Sequence, residues 1–226
     1  MPARGSAPAR TPLRAPLAGT LPPNRISLQL KGLHLIRGER LYLRAVERDD
    51  LERCHDWMND ESLRATLAQR YPMSLAQEAD WIERTSRGQD VSKLTFAICL
   101  FEGDRHIGNC SLEAIERENG VATFGILIGE KDCHGKGLGE EATRVLCRFA
   151  FEEMNLHKIR LDVYASNAAA VRTYENVGFR REGVLRDEAF RGGRYIDVLR
   201  MGLLREEIAE ARSAPRSSRK PRPRRR

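Results

Sequence analysis

Paired cysteine is missing from this sequence. Its five cysteines, Cys54, Cys99, Cys110, Cys133 and Cys147, are odd in number and nowhere spaced Cys-x-x-Cys. That excludes a disulfide framework and a zinc knuckle. Long apolar runs are missing too. The longest, such as Ala97–Phe101, have the length of a strand and fall far short of the ~18 residues that cross a bilayer. The first 37 residues hold no acid and are cut by proline so often that no signal-peptide core fits through them. They read as a plain disordered extension rather than as an organelle transit peptide, whose Arg-rich character they share. These absences predict a cytoplasmic protein with no membrane segment and no metal site.

What is present is charge, unevenly placed. The net charge of +7 suggests nucleic acid as a partner, but residues 1–37 carry six Lys/Arg and residues 213–226 carry seven, with no acid in either stretch. Residues 38–212 keep 26 basic against 32 acidic side chains, a net −6, so the basic character belongs to the tails. The middle has a mildly acidic field suited to cationic small molecules. No linker or internal repeat interrupts it. The expected organisation is a basic Pro/Arg-rich tail over 1–37, one domain over 38–212 and an Arg-rich tail over 213–226.

Hydrophobic periodicity predicts the elements of that domain. Leu41–Val46 alternates as a strand, and Asp49-Asp50 start a helix through Leu51, Cys54, Trp57 and Met58. Ser74 with Gln77 fits a capping box for a second helix. Strands follow at 94–101, 107–115 and 122–128, the first two joined by a turn at Glu102-Gly103-Asp104. Apolar residues at three- and four-residue spacing mark a long helix over 137–154. A strand at 158–164, a helix at 168–177 closed by Gly178, and a hairpin of 184–190 with 195–203 around Gly192-Gly193 complete the order β-α-α-β-β-β-α-β-α-β-β. That order is a mixed α/β sandwich, with helices on one central sheet.

The most specific local feature is His134-Gly135-Lys136-Gly137-Leu138-Gly139, between a strand and the long helix. Such a loop turns backbone N–H groups and a helix N-terminus toward one place, which suits an anion. It is not a Walker A loop: five residues separate Gly129 from Gly135, with four needed, and Lys136 is followed by glycine rather than Ser or Thr. Nor is it a dinucleotide fingerprint, because the last glycine comes one place early. Downstream stand Asn155–Ile159, Val163–Asn167 and Ala170–Phe179, followed by Glu182-Gly183 and the closing Gly193-Arg-Tyr-x-Asp197.

The loop pattern Gln/Arg-x-x-Gly-x-Gly/Ala and the downstream segments together resemble the GNAT superfamily of N-acetyltransferases. The resemblance covers about 38–207, and the branch is the one containing ribosomal-protein N-terminal acetyltransferases and spermidine acetyltransferases. His134 departs from it, standing where Gln or Arg is usual. The resemblance implies a mixed sheet splayed at its centre and flanked by helices, with acetyl-CoA as co-substrate. Its diphosphate would be held by His134, Gly135, Lys136, Gly137, Leu138 and Gly139, and its pantetheine arm by the backbone of Ile126, Leu127 and Ile128, where strand 122–128 splays from 159–164. Asn167 would touch the coenzyme as well as cap the helix that follows. Tyr174 stands where relatives place the tyrosine that protonates the coenzyme sulfur.

A base for the amine is expected at Glu113, with Glu116 and Glu182 behind it. A covalent route through Cys133 or Cys147 is not expected, since no His and acid stand ready to activate either. The acceptor would be a primary amine, on a protein N-terminus or a polyamine-like compound. It would be bound by the loop between the first two helices, about 60–75, and by the last hairpin, 190–194. Two other readings stand beside this one: a sensor that binds acyl-CoA without turnover, motivated by His134, and a domain tethered to ribosome or RNA by its basic tail. A homodimer is left open.

Overall fold

The computed structural model describes residues 35–88 and 92–208. The expected tails over 1–37 and 213–226 lie outside these residues apart from 35–37, as do the last positions of the expected domain. Among the described residues no helix is long and apolar enough to cross a membrane.

One eight-stranded sheet runs through the molecule, in the order β1-β2-β3-β4-β5-β6-β8-β7. Its strands are β1 (Ile36–Arg37), β2 (Leu41–Ala45), β3 (Leu94–Leu100), β4 (His106–Glu116), β5 (Val121–Ile128), β6 (Lys158–Tyr164), β7 (Arg180–Arg191) and β8 (Arg194–Leu204). All neighbours are antiparallel except β5 and β6, which run parallel. The helices are α1 (Leu51–Asn59), α2 (Glu61–Arg64), α3 (Leu75–Ser86), α4 (Leu138–Glu152) and α5 (Ala168–Val177). The mixed α/β class is as expected.

Strand alternation sorts the sheet into two faces. Leu41, Leu43, Ile98, Cys110 and Leu112 turn to the face where α4 buries Leu138, Ala142, Val145, Leu146 and Phe151, and these form one continuous core. Truncating Leu146, which is fully buried, costs about 2–5 kcal/mol. Tyr42, Arg44, Ala97, Cys99 and Asn109 alternate to the opposite face, where the Asn109 amide meets the Cys54 sulfur of α1. Ala97 and Cys99 are both fully buried on that face.

Three departures from the expected elements have local causes. The stretch taken as a loop between the first two helices contains the single-turn α2, capped by the Asp60 carboxylate accepting from the amides of Ser62 and Leu63 at 2.9 and 3.1 Å. β1 lies within the stretch assigned to the tail, because two residues are too few to show a period. β7 starts at Arg180 rather than 184. As an edge strand with most of its side chains exposed, it lacks the apolar alternation that marks a strand.

Candidate active site

β5 and β6 pair only at Val121–Thr123 with Lys158–Arg160. Beyond that point the strands separate, and the gap opens into a cleft of about 1250 Å³. The free edge of β5 carries unused hydrogen-bonding groups. The Gly129 amide donates to the Ile107 carbonyl on β4 at 2.9 Å, so the strand's two-residue period turns the main-chain groups of Phe124, Ile126 and Ile128 the other way, toward the gap. The Ile128 carbonyl is already taken, because His134 Nε2 lies 2.8 Å from it.

The glycine loop closes one end of this cleft. Gly137, with φ at +75°, is the N-cap of α4, a left-handed backbone that favours glycine. From Gly135 to Glu140 the backbone amides have no partner among the described residues, the first helical bond being Glu141 N–H to the Gly137 carbonyl at 3.1 Å. A run of free donors at a helix start fits a diphosphate. The loop is braced from outside. Glu141 accepts from the Glu39 and Arg40 amides at 2.9 and 2.7 Å and from Arg40 Nε at 2.7 Å, while Arg40 Nη1 donates to the Lys136 carbonyl at 2.9 Å.

Tyr174, on α5, reaches the middle of the cleft. Phe124 and Phe179 flank its ring, with centroids 6.3 and 5.9 Å away in edge-on contact. Its hydroxyl makes no hydrogen bond to any described residue, and burial pushes its pKa up to about 12. The phenol is therefore fully protonated at neutral pH. Burial likewise raises the thiols of Cys133 and Cys147, which keeps both in their unreactive form. Asn167 caps α5, its Oδ1 accepting from the Ala170 amide at 3.2 Å, and also lines the cleft.

Glu113 lines the cleft, with Lys93 Nζ at 2.8 Å and the Ser111 hydroxyl donating at 3.1 Å. Its two understudies do not reach it. Glu116 is held by Arg160 at 3.1 Å and Glu182 by Lys158 at 2.6 Å, both outside the cleft lining. Lys136, exposed between two left-handed glycines, is the one expected loop residue that does not line the cleft, although its amide belongs to the run of free donors. The remaining expected residues, Ile126, Leu127, Ile128, His134, Gly135, Gly137, Leu138, Gly139, Asn167, Glu113 and Tyr174, all line one cleft.

Behind the far end of the cleft, backing Trp57, stand side chains that no motif announced. Asp50, at the entry to α1, accepts two bonds from the Arg44 guanidinium at 2.7 Å and one from the Glu47 amide at 2.9 Å, and lies 3.0 Å from His106 Nδ1. Burial would raise its carboxyl, but these partners outweigh burial and hold it well below the usual range. The His106 ring meets Trp57 edge-on at 4.8 Å, and the indole packs so tightly on Gly129 that a Cβ there would come within 2.0 Å of it. Met58, Met73, Glu78 and Trp81 extend this wall. Opposite, Arg191 joins the two acceptor segments expected from the sequence. It donates to the carbonyls of Leu67 and Ala68 at 2.8 and 3.1 Å and stacks over Tyr164 at 5.1 Å, and the Tyr164 hydroxyl also donates to Leu67 at 3.1 Å.

Comparison with known proteins matches residues 40–180 to the family model described as an acetyltransferase (GNAT) domain. The uncharacterized N-acetyltransferase YokL of Bacillus subtilis, derived from the SPbeta prophage, is 33% identical over 173 residues, which is 76% of this chain and 93% of that protein. The spermidine N(1)-acetyltransferase of Vibrio cholerae is 32% identical over 168 residues, covering 74% and 95%. Among solved structures, a spermidine N-acetyltransferase from Vibrio cholerae in complex with CoA and spermine superposes with a TM-score of 0.69 at 30% identity, over 75% of this chain and 98% of that one.

Proposed function

The chain belongs to the GNAT acetyltransferase family, and from that premise we propose that it moves the acetyl group of acetyl-CoA to a polyamine-like primary amine by direct attack. The observation that carries this reading is the convergence, in one cleft, of the unpaired amides of 135–140, the free edge of β5 and the hydroxyl of Tyr174. The loop amides hold the diphosphate and the Ile126 main chain holds the pantetheine arm. Asn167 adds a contact from the start of α5.

The free amine attacks the thioester carbonyl, forming the C–N bond. As the C–S bond breaks, the Tyr174 O–H protonates the leaving sulfur, and the proton given up by nitrogen restores the phenol. A lysine-type ammonium, with a pKa near about 10.4, must first lose a proton, which Glu113 accepts directly or through water. The raised thiols of Cys133 and Cys147 argue against an acyl-cysteine route. His134 no longer motivates a sensor, since its contact with Ile128 gives it a bracing role in the loop.

The test is a screen of amines and peptide N-termini with acetyl-CoA, read by thiol release. Release with small polyamines supports the proposal. Release with peptide N-termini alone would move the acceptor to protein, and calorimetric binding of acetyl-CoA with no turnover on any amine would make the protein a sensor.

A further inference from the structure

Glu78 is the exception on its helix face. It lies in the first turn of α3, one turn before the buried Ile82, and is itself only 2% exposed. A carboxylate so far out of water costs several kcal/mol unless it is paired, and buried polar groups nearly always have partners. The Glu78 amide donates to the Ser74 carbonyl at 3.1 Å, but its carboxylate has no hydrogen bond and no ion pair with any described residue. The other cleft carboxylates differ. Glu113, Glu140, Asp162 and Glu175 hold Lys93, Arg144, Arg200 and Arg181 respectively, while Glu188 is exposed to water. Burial raises the Glu78 carboxyl, and the only opposing influence is the charge of His55, whose Nε2 is engaged with the Met73 carbonyl at 3.1 Å.

Glu78 lines the same cleft as Trp57, Met58, Met73 and Trp81. Trp81 follows Glu78 by three residues and so shares its side of α3. A wall of two indoles, two thioethers and one unpaired carboxylate suits an alkylammonium, whose methylenes pack on the apolar groups while its charge meets the carboxylate and the indole faces. We propose that Glu78 is the specificity residue for the acceptor, anchoring a second cationic nitrogen remote from the amine that is acetylated. This deepens the transferase reading and rests on it. The acceptor chemistry it selects is an α,ω-diamine rather than a monoamine.

The experiment compares a linear α,ω-diamine with the monoamine of equal chain length, on wild type and on Glu78→Gln. Wild type should prefer the diamine in kcat/KM by about tenfold or more. In E78Q that preference should collapse through the diamine's KM, with the monoamine's kcat/KM changed by less than about twofold and acetyl-CoA affinity unchanged. An equal loss on both amines would assign Glu78 to proton transfer instead and overturn the anchor. So would a wild type indifferent to the second nitrogen.

Direct binding keeps the anchor testable if no amine turns over. The sequence has two tryptophans, both on this wall, so intrinsic fluorescence should report saturable diamine binding that E78Q loses. Its absence in wild type defeats the anchor even where thiol release proves the enzyme. E78Q should also melt no lower than wild type, because the substitution removes an unpaired buried charge; a markedly lower midpoint would give Glu78 a structural role and overturn the proposal.

Discussion

The two ends of the cleft are made of different material. The proposed coenzyme end is main chain: six consecutive residues, 135–140, with free amides at the start of α4, and the open edge of β5. The proposed acceptor end is side chain: Trp57 from α1, Glu78 and Trp81 from α3, and a loop held at Leu67 and Ala68 by Arg191 from β7. Backbone donors are indifferent to which side chain sits beside them, so His134 can depart from the family pattern without dismantling the loop. A pocket built of side chains has no such tolerance, and each of its residues is a point at which specificity can change.

The strongest way to probe that contrast is to remove the chemistry and leave both ends standing. Tyr174→Phe should lower kcat by about 10²-fold or more while leaving acetyl-CoA binding and amine KM near wild type, checked by steady-state kinetics and calorimetry. Unchanged turnover would remove Tyr174 from the mechanism. The same variant tests the phenol's environment. Its pKa is raised in the fold, so its contribution to stability is fully present below about pH 10 and is lost as pH rises through about 12. Difference absorbance of tyrosinate between wild type and variant should show one missing step near pH 12.

Next in size is the coenzyme end itself. Gly137→Val puts a β-branched side chain at φ +75°, a strain of about 1–2 kcal/mol, and should weaken acetyl-CoA binding by about tenfold without altering amine specificity. His134→Ala removes one brace worth about 1 kcal/mol and should weaken binding by about fivefold at most. If His134→Ala proved the more damaging of the two, the loop would bind through side chains and the contrast between the two ends would fail. The smallest effect is expected at the acceptor lid. Arg191→Ala frees the loop at Leu67 and Ala68 and should raise amine KM by about threefold with acetyl-CoA affinity unchanged, since the clasp is partly exposed.

How much of this was legible followed the same division. Leu41–Ala45, α4 and the Ser74/Gln77 capping box were readable because their signals are local: period, spacing and a side chain three residues from its partner. The glycine loop was readable for the same reason, whereas the position of Tyr174 came from the resemblance to the family. The brace of Arg40 on Glu141 spans 101 residues, and no local pattern marks it. Glu78 resembles any helix glutamate until the fold shows its face to be the buried one. Glu116 and Glu182 were misjudged because an acid near the motif need not reach the cleft.

The sequence by itself determined the order of strands and helices apart from β1 and α2, the glycine-rich start of α4 and the family, because each depends on residues close together along the chain. Only the tertiary structure decided which carboxylates open on the cleft and which are neutralised by a neighbour. The reason is physical: burial and ion pairing depend on distance in space, and the segments that meet at Trp57, Glu78 and Arg191 are brought together only when the sheet and its helices close.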